Sequence, residues 1–348
     1  MQAETVKTRD DCAELVNRSA VRATGMVTPA LRGAVDTFDE TIRPIVAYHF
    51  GWADVLGRPT ADNGGKMIRA ALSILCGEAC GGTPADLVPG AAAVELVHNF
   101  SLLHDDVMDR DVERRGRPTV WTQFGVPAAI LAGDILLARA CGMFDESTER
   151  HAWATKVLIA TVNELAAGQM ADLALESQTT ALLSQPLTVA AQKTGALLRC
   201  SCELGAGLAG APAEVSDRFA AFGSHLGLAF QLVDDILGVW GDPAVTGKPV
   251  KSDLRNRKKS IPVVAALNDG GPDSEELATL YAKPEALTET EIERAAVLVE
   301  SAGGRAWTEE EIRRQQRLAI EQLDALDLLE EHREPLVAVA DYISLRNR

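Results

Sequence analysis

The chain has 348 residues, 47% of them hydrophobic, which excludes an intrinsically disordered protein and leaves enough apolar side chain for a sizeable core. A formal net charge of −16 argues against non-specific nucleic-acid binding. The six cysteines, Cys12, Cys76, Cys80, Cys141, Cys200 and Cys202, lack the CxxC spacing of a zinc site, and a chain this long needs no disulfide framework. Free thiols in a reducing cytoplasm are expected. Consistent with that, Met1 to Cys12 is polar, without the apolar core of a signal peptide, and no apolar run reaches the roughly 18 residues of a spanning helix.

Apolar residues recur at three- and four-residue steps nearly everywhere, which predicts an all-α protein. In chain order, the periodicity places helices over 10–20, 29–50, 66–79, 84–107, 126–145, 151–176, 186–208, 214–238, 258–268, 274–282, 288–302, 308–327 and 332–345. Thr83-Pro84 and Ser216-Asp217 read as helix starts. Breaks fall at Gly81-Gly82, Gly210-Ala211-Pro212, Gly241-Asp242-Pro243 and Gly270-Gly271-Pro272. The segments Pro127–Cys141 and Gly195–Leu208 lack a polar stripe, so they are expected to be surrounded by other helices in one large bundle.

Within this helical background, His98-Asn99-Phe100-Ser101-Leu102-Leu103-His104-Asp105-Asp106-Val107-Met108-Asp109 runs from an apolar helix into three carboxylates. On a helix Asp105 and Asp109 lie one turn and about 40° apart, where like charges repel. A hard divalent cation would compensate, whereas a solvated helix end would not need one. A second apolar helix ends in Gln231-Leu232-Val233-Asp234-Asp235-Ile236-Leu237-Gly238. Two acidic clusters on core helices call for a shared explanation, since unpartnered buried carboxylates cost several kcal/mol. If the two helices faced each other they could hold two or three Mg²⁺, which implies a phosphorylated substrate. Basic residues follow each cluster: Arg110, Arg114, Arg115 and Arg117 after the first, and Lys248, Lys251, Arg255, Arg257, Lys258 and Lys259 after the second, opposed only by Asp253. Such forks suit a polyanion. Gly64-Gly65-Lys66-Met67-Ile68-Arg69 adds two cations at a helix start.

These residues resemble the trans-type isoprenyl diphosphate synthases, also called polyprenyl synthetases, over roughly residues 60–265, with an echo at Ala340-Asp341-Tyr342. The matching motifs are Asp105-Asp106-Val107-Met108-Asp109 with Arg114-Arg115-Gly116, Gly64-Gly65-Lys66-Met67-Ile68-Arg69, Lys193-Thr194, Gln231 with Asp234-Asp235, Thr246-Gly247-Lys248, and Lys258-Lys259-Ser260-Ile261-Pro262. The resemblance implies a single domain over 1–348, a helical bundle around a central cavity, and a homodimer. It implies Mg²⁺ on Asp105, Asp109 and Asp234, supported by Asp106 and Asp235. Arg114, Lys193, Lys248 and Lys258 would hold an allylic prenyl diphosphate, and Lys66, Arg69, His98 and Arg115 isopentenyl diphosphate. Thr194 and Gln231 would lie where positive charge develops, and Gln169 and Asp172 match a pattern on the cavity wall.

The chain departs from the family pattern at three places. Gly238 stands where many members have a third Asp, Met67 and Ala70 replace a common Arg and Pro, and Lys251 replaces a frequent Gly. An aromatic Phe100 with small Ser101 before the aspartates resembles geranylgeranyl diphosphate synthases, so a C20 product is expected and C15 is the alternative. On an ideal helix Phe100 points about 140° from Asp105, so the wheel alone does not make it a tunnel stopper; core packing is the other role open to it. A terpene cyclase would not need Lys66, Arg69, His98 and Arg115, all of which are present. A non-catalytic partner subunit finds its one hint in Gly238.

Overall fold

The computed structural model describes residues 9–60, 65–145, 147–178, 180–242 and 251–345. They form an all-α protein whose one sheet among them is a two-stranded ladder. The helices are α1 (Arg9–Asp36), α2 (Arg43–His49), α3 (Ile68–Ala79), α4 (Pro84–Met108), α5 (Val120–Phe124), α6 (Val126–Cys141), α7 (Glu149–Glu176), α8 (Ser184–Ala190), α9 (Ala196–Leu208), α10 (Ala213–Trp240), α11 (Ser252–Arg255) and α12 (Ile261–Leu267). Four more follow, Pro272–Tyr281, Glu289–Ser301, Gly304–Asp324 and Glu330–Leu345. The chain divides into two compact units. The first comprises Met1–Val162, Cys200–Ala220 and Leu326–Ala338, the second Asn163–Arg199, Ala221–Ala325 and Val339–Arg348.

In the first unit, α1 is continuous where the periodicity predicted two helices. Cys12, Val16, Ala20, Ala23, Val27, Leu31 and Ala34 are all buried at steps of three and four, and this stripe carries the helix through Gly25 and Pro29. The predicted 29–50 helix instead breaks after Asp36 and resumes as α2. Helix α4 starts where expected. Asp86 accepts from the Thr83 main-chain N–H at 2.9 Å and its hydroxyl at 2.6 Å, and Pro84 occupies the first turn, where its missing N–H costs nothing. Gly90 to Val97 is buried all round, so α4 is a central helix that carries the first acidic cluster at its far end.

Helix α6 departs from the expectation of burial on all sides. Ala129, Ala132, Gly133, Leu136 and Ala140 are buried, but Val126, Ile130 and Leu131 are 40%, 41% and 58% exposed. The expectation holds for α9, where Leu197, Leu198, Cys200, Cys202, Leu204, Ala206 and Leu208 are buried. Helix α10 begins at Ala213, one step after Pro212, and not at Ser216-Asp217. Ser216 lies buried in its first turn with its N–H bonded to the Pro212 carbonyl at 3.0 Å.

In the second unit, three glycines set the helix spacing. A Cβ on Gly168 of α7 would lie 2.8 Å from the Lys193 main-chain nitrogen, and one on Gly223 of α10 would lie 2.9 Å from Arg199 Cα. One on Gly227 would overlap Gly195 Cα. Between α8 and α9 the backbone widens into a π-turn, Ala191–Gly195, which carries Lys193 and Thr194. Single π-turns of this kind concentrate at functional sites.

Candidate active site

Adjacent helical residues point about 100° apart, and both acidic pairs use that angle in the same way. In the first unit Asp105 is half-buried and Asp109 exposed, whereas Asp106 is 2% exposed. Arg114 Nε donates to Asp106 Oδ1 at 2.6 Å. Burial pushes the Asp106 carboxyl up to about 6 against the pull of Arg114. In the second unit Asp234 is exposed and Asp235 is 4% exposed. Asp235 accepts from the Ile261 N–H at the start of α12 (2.9 Å) and from Gln231 Nε2 (2.8 Å). Thus the leading residue of each pair is the more exposed one, and the following one is buried and locked.

In the first unit, Arg114 and Arg115 belong to a hairpin of β1 (Glu113–Arg114) and β2 (Arg117–Pro118). Its two-residue turn has φ of 54° at Arg115 and 71° at Gly116, the positive pair that a type I′ turn needs. Arg115 is exposed there, and a Cβ on Gly65 would lie 3.0 Å from its guanidinium, so the first basic segment passes directly beside it. Arg69 lies 3.3 Å from His98 Nε2. Burial, together with Arg69 and Arg115, holds the His98 ring well below its ordinary pKa, so it is neutral and accepts from Arg69. Lys66 is exposed two residues before α3. The sequence did not single out the layer beneath. His49 pairs with Asn99 Oδ1 at 3.1 Å, and burial with Arg115 and Arg114 nearby lowers its pKa to about 3. Asn99 in turn donates to the Glu95 carbonyl at 2.7 Å, and the Glu95 carboxylate accepts from the Ala70 N–H at 3.1 Å. His49, Asp106, Arg114, Arg115 and Arg117 line one hollow.

In the second unit, Asp172, Lys193, Gln231, Asp235, Lys258 and Ser260 line an open cavity. Lys193 Nζ donates to Asp172 Oδ2 at 2.9 Å, and the Thr194 hydroxyl donates to Gln231 Oε1 at 2.6 Å. A single chain of bonds therefore runs from Thr194 through Gln231 to Asp235 and the start of α12. Burial on its own would lower the Lys258 pKa, but the carboxylates of Asp235, Asp253, Asp172 and Asp234 raise it well above its ordinary value. Lys258 is a fixed cation. Gln169 is 9% exposed, and neither of its side-chain amide atoms has a hydrogen-bond partner among the described residues. An orphaned buried amide is costly unless a ligand or water completes it. Lys248, Gly64, Thr246 and Gly247 lie outside the described residues.

Strain marks the same segments. The non-glycine residues with positive φ are Met67, Arg110, Arg115, Lys251 and Arg257 among those described. Each lies in one of the basic stretches, at a cost of about 1–3 kcal/mol apiece that such sites commonly carry. Lys251, with φ 55°, shows why a glycine is frequent at that place.

The donor chemistry fits a hard cation. The outward groups are carboxylates, and among the described residues no three His, Cys, Asp or Glu side chains are grouped to hold a metal ion. Mg²⁺ prefers a few carboxylate oxygens of this kind together with water and phosphate oxygens.

A family model described as polyprenyl synthetase matches residues 52–299. The chain is 45% identical over 322 residues to a (2E,6E)-farnesyl diphosphate synthase of Mycobacterium bovis, covering 91% of this chain and 90% of that protein. It is 46% identical over 296 residues to a geranylgeranyl diphosphate synthase of Mycobacterium tuberculosis, covering 84% of each. The crystal structure of a polyprenyl synthetase from Streptomyces coelicolor A3(2) superposes with a TM-score of 0.90 at 46% identity, covering 94% of this chain and 99% of that one.

Proposed function

The chain belongs to the polyprenyl synthetase family, and we propose that it condenses isopentenyl diphosphate with an allylic prenyl diphosphate to give all-trans geranylgeranyl diphosphate. It is a prenyl diphosphate synthase, a transferase. The observation that carries the substrate reading is the cavity in the second unit, which Lys193, Lys258, Gln231 and Asp235 line together, with Lys193 bonded to Asp172. Asp105, Asp109 and Asp234 are the residues that would hold Mg²⁺, backed by Asp106 and Asp235. Bound Mg²⁺ supplies charge stabilisation to the departing pyrophosphate. Arg114, Lys193, Lys248 and Lys258 grip the allylic diphosphate, and Lys66, Arg69, His98 and Arg115 the isopentenyl diphosphate. The allylic C–O bond breaks with its electron pair leaving on pyrophosphate. The isopentenyl double bond forms the new C–C bond, and a proton is lost to the departed pyrophosphate. Thr194 and Gln231 present oxygens where the cation develops.

Product length rests on Phe100. Its ring packs edge-on against His104, with centroids 4.9 Å apart. His104 is fixed in turn by the Ile130 carbonyl at 3.0 Å and by the close approach of Gly133. A ring held this firmly suits a fixed stop. A C15 product is the second reading, favoured by the 45% identity to the farnesyl diphosphate synthase across most of both chains. Incubation with isopentenyl diphosphate, Mg²⁺ and each allylic primer, read by product mass, separates the two. Phe100→Ala is expected to shift the product by at least one five-carbon unit; an unchanged product removes Phe100 from the stop. Release of a hydrocarbon without isopentenyl diphosphate would mark a cyclase, and activity only with a second protein would mark a partner subunit.

We also propose a homodimer that covers the apolar face of α6. Val126 and Ile130, one turn apart, and the neighbouring Leu131 stand exposed, and a second copy of the chain would bury them. Leu131→Arg is expected to convert a dimer to a monomer in sedimentation; a dimer that persists places the interface elsewhere.

A further inference from the structure

The second acidic motif ends in Gly238 where a third carboxylate is frequent, and the place is not empty. A Cβ built on Gly238 would lie 2.5 Å from Asp253 Cγ and 2.7 Å from Asp253 Oδ1. Those distances are well inside contact, so a side chain at 238 would have to displace the Asp253 carboxylate. Asp253 comes from α11, fifteen residues further along the chain, and is 9% exposed. Its main chain holds that of Lys258, whose N–H donates to the Asp253 carbonyl at 2.8 Å. Its carboxylate acts on the Lys258 ammonium together with those of Asp234 and Asp235. With Asp172 of α7, four carboxylates act on this one lysine, two of them from α10 and one from α11.

We propose that Asp253 supplies through space the third carboxylate of the second acidic motif, and that Gly238 is the gap that admits it. Asp253 is a positioning residue. It orients Lys258 and the hydration shell of a Mg²⁺–diphosphate ligand held at Asp234. A plainer role is open to it, in which Asp253 only caps and packs the short α11. That role accounts for its burial, but not for a carboxylate seated against the third position of the motif, where any side chain would have to displace it.

The inference rests on the reading of Asp234 as a Mg²⁺ residue, and its test keeps the two apart. Binding of inorganic pyrophosphate to the full chain is followed by calorimetry as Mg²⁺ is varied, with the ligand-free melting temperature measured alongside. Asp253→Asn keeps the shape of the side chain. It is expected to leave melting unchanged and to raise the Mg²⁺ needed for half-maximal pyrophosphate binding by about tenfold, the usual cost of losing a group behind a metal ligand. Gly238→Ala is expected to push Asp253 aside and give a shift of similar size. The exchange Gly238→Asp with Asp253→Gly returns the carboxylate from the other helix and should recover most of the loss. Asp234→Ala should abolish Mg²⁺-dependent binding. If Asp234→Ala does so while Asp253→Asn leaves the Mg²⁺ dependence unchanged, whether or not it melts earlier, Asp253 is structural and the inference is overturned alone. If Asp234→Ala also binds normally, the metal reading fails and takes the inference with it.

Discussion

Asp105→Ala is expected to lower turnover at saturating substrates and Mg²⁺ by at least about a thousandfold, or roughly 4 kcal/mol of barrier. Asp105 is half-buried near the end of α4, where its main-chain carbonyl accepts from the Asp109 N–H at 2.8 Å. Alanine keeps that bond, is the better helix former, and removes the like-charge repulsion between positions 105 and 109. The variant should still melt as a folded protein while its turnover collapses. Steady-state product formation, paired with a melt of each protein, checks both halves. Turnover within tenfold of the parent enzyme would remove Asp105 from the leaving-group machinery.

Asp105 also marks how far the amino-acid order by itself reaches. The helical period places Asp105 and Asp109 on one face, and Asp106 and Asp235 on others. It does not say which member of an adjacent pair turns inward. That is decided by tertiary partners, Arg114 for Asp106, and Gln231 with the Ile261 N–H for Asp235. Arg114 is eight residues from its partner and Ile261 is twenty-six from Asp235, separations at which periodicity carries no signal. The His49–Asn99–Glu95 layer is hidden from the sequence for the same reason, since a lone His near a glycine looks like any surface residue until a helix buries it. Asp253 does leave a trace, as the single acid in a run of six cations. Gly238 leaves another, but only the folded chain brings the two together.

Lys193 and Thr194 sharpen the point. Their identities are readable, but not the π-turn that aims them. That turn depends on Gly168 of α7 and Gly227 of α10 having no side chains, so that the Ala191–Gly195 backbone can lie against both helices. Gly227→Ala is accordingly expected to damage stability and catalysis together. The added Cβ would overlap Gly195 Cα and lie 3.2 Å from its nitrogen. Gly195 has no side chain that could yield, so the backbone must shift. Overpacking of this kind costs about 1–3 kcal/mol or more, which corresponds to a fall of about 4 °C in melting temperature at about 3 kcal/mol for a chain of this length. The shift displaces Lys193 from Asp172 and Thr194 from Gln231, and a misplacement of about 1 Å can cost on the order of a hundredfold in rate. Gly25→Ala is the matched control, because a Cβ there meets nothing within 4 Å in the middle of α1. It should stabilise by about 0.5–1 kcal/mol through helix propensity and leave kcat/KM alone. Should Gly227→Ala melt with the parent and turn over at the parent's rate, the close crossing of α10 over the π-turn is not what positions Lys193 and Thr194.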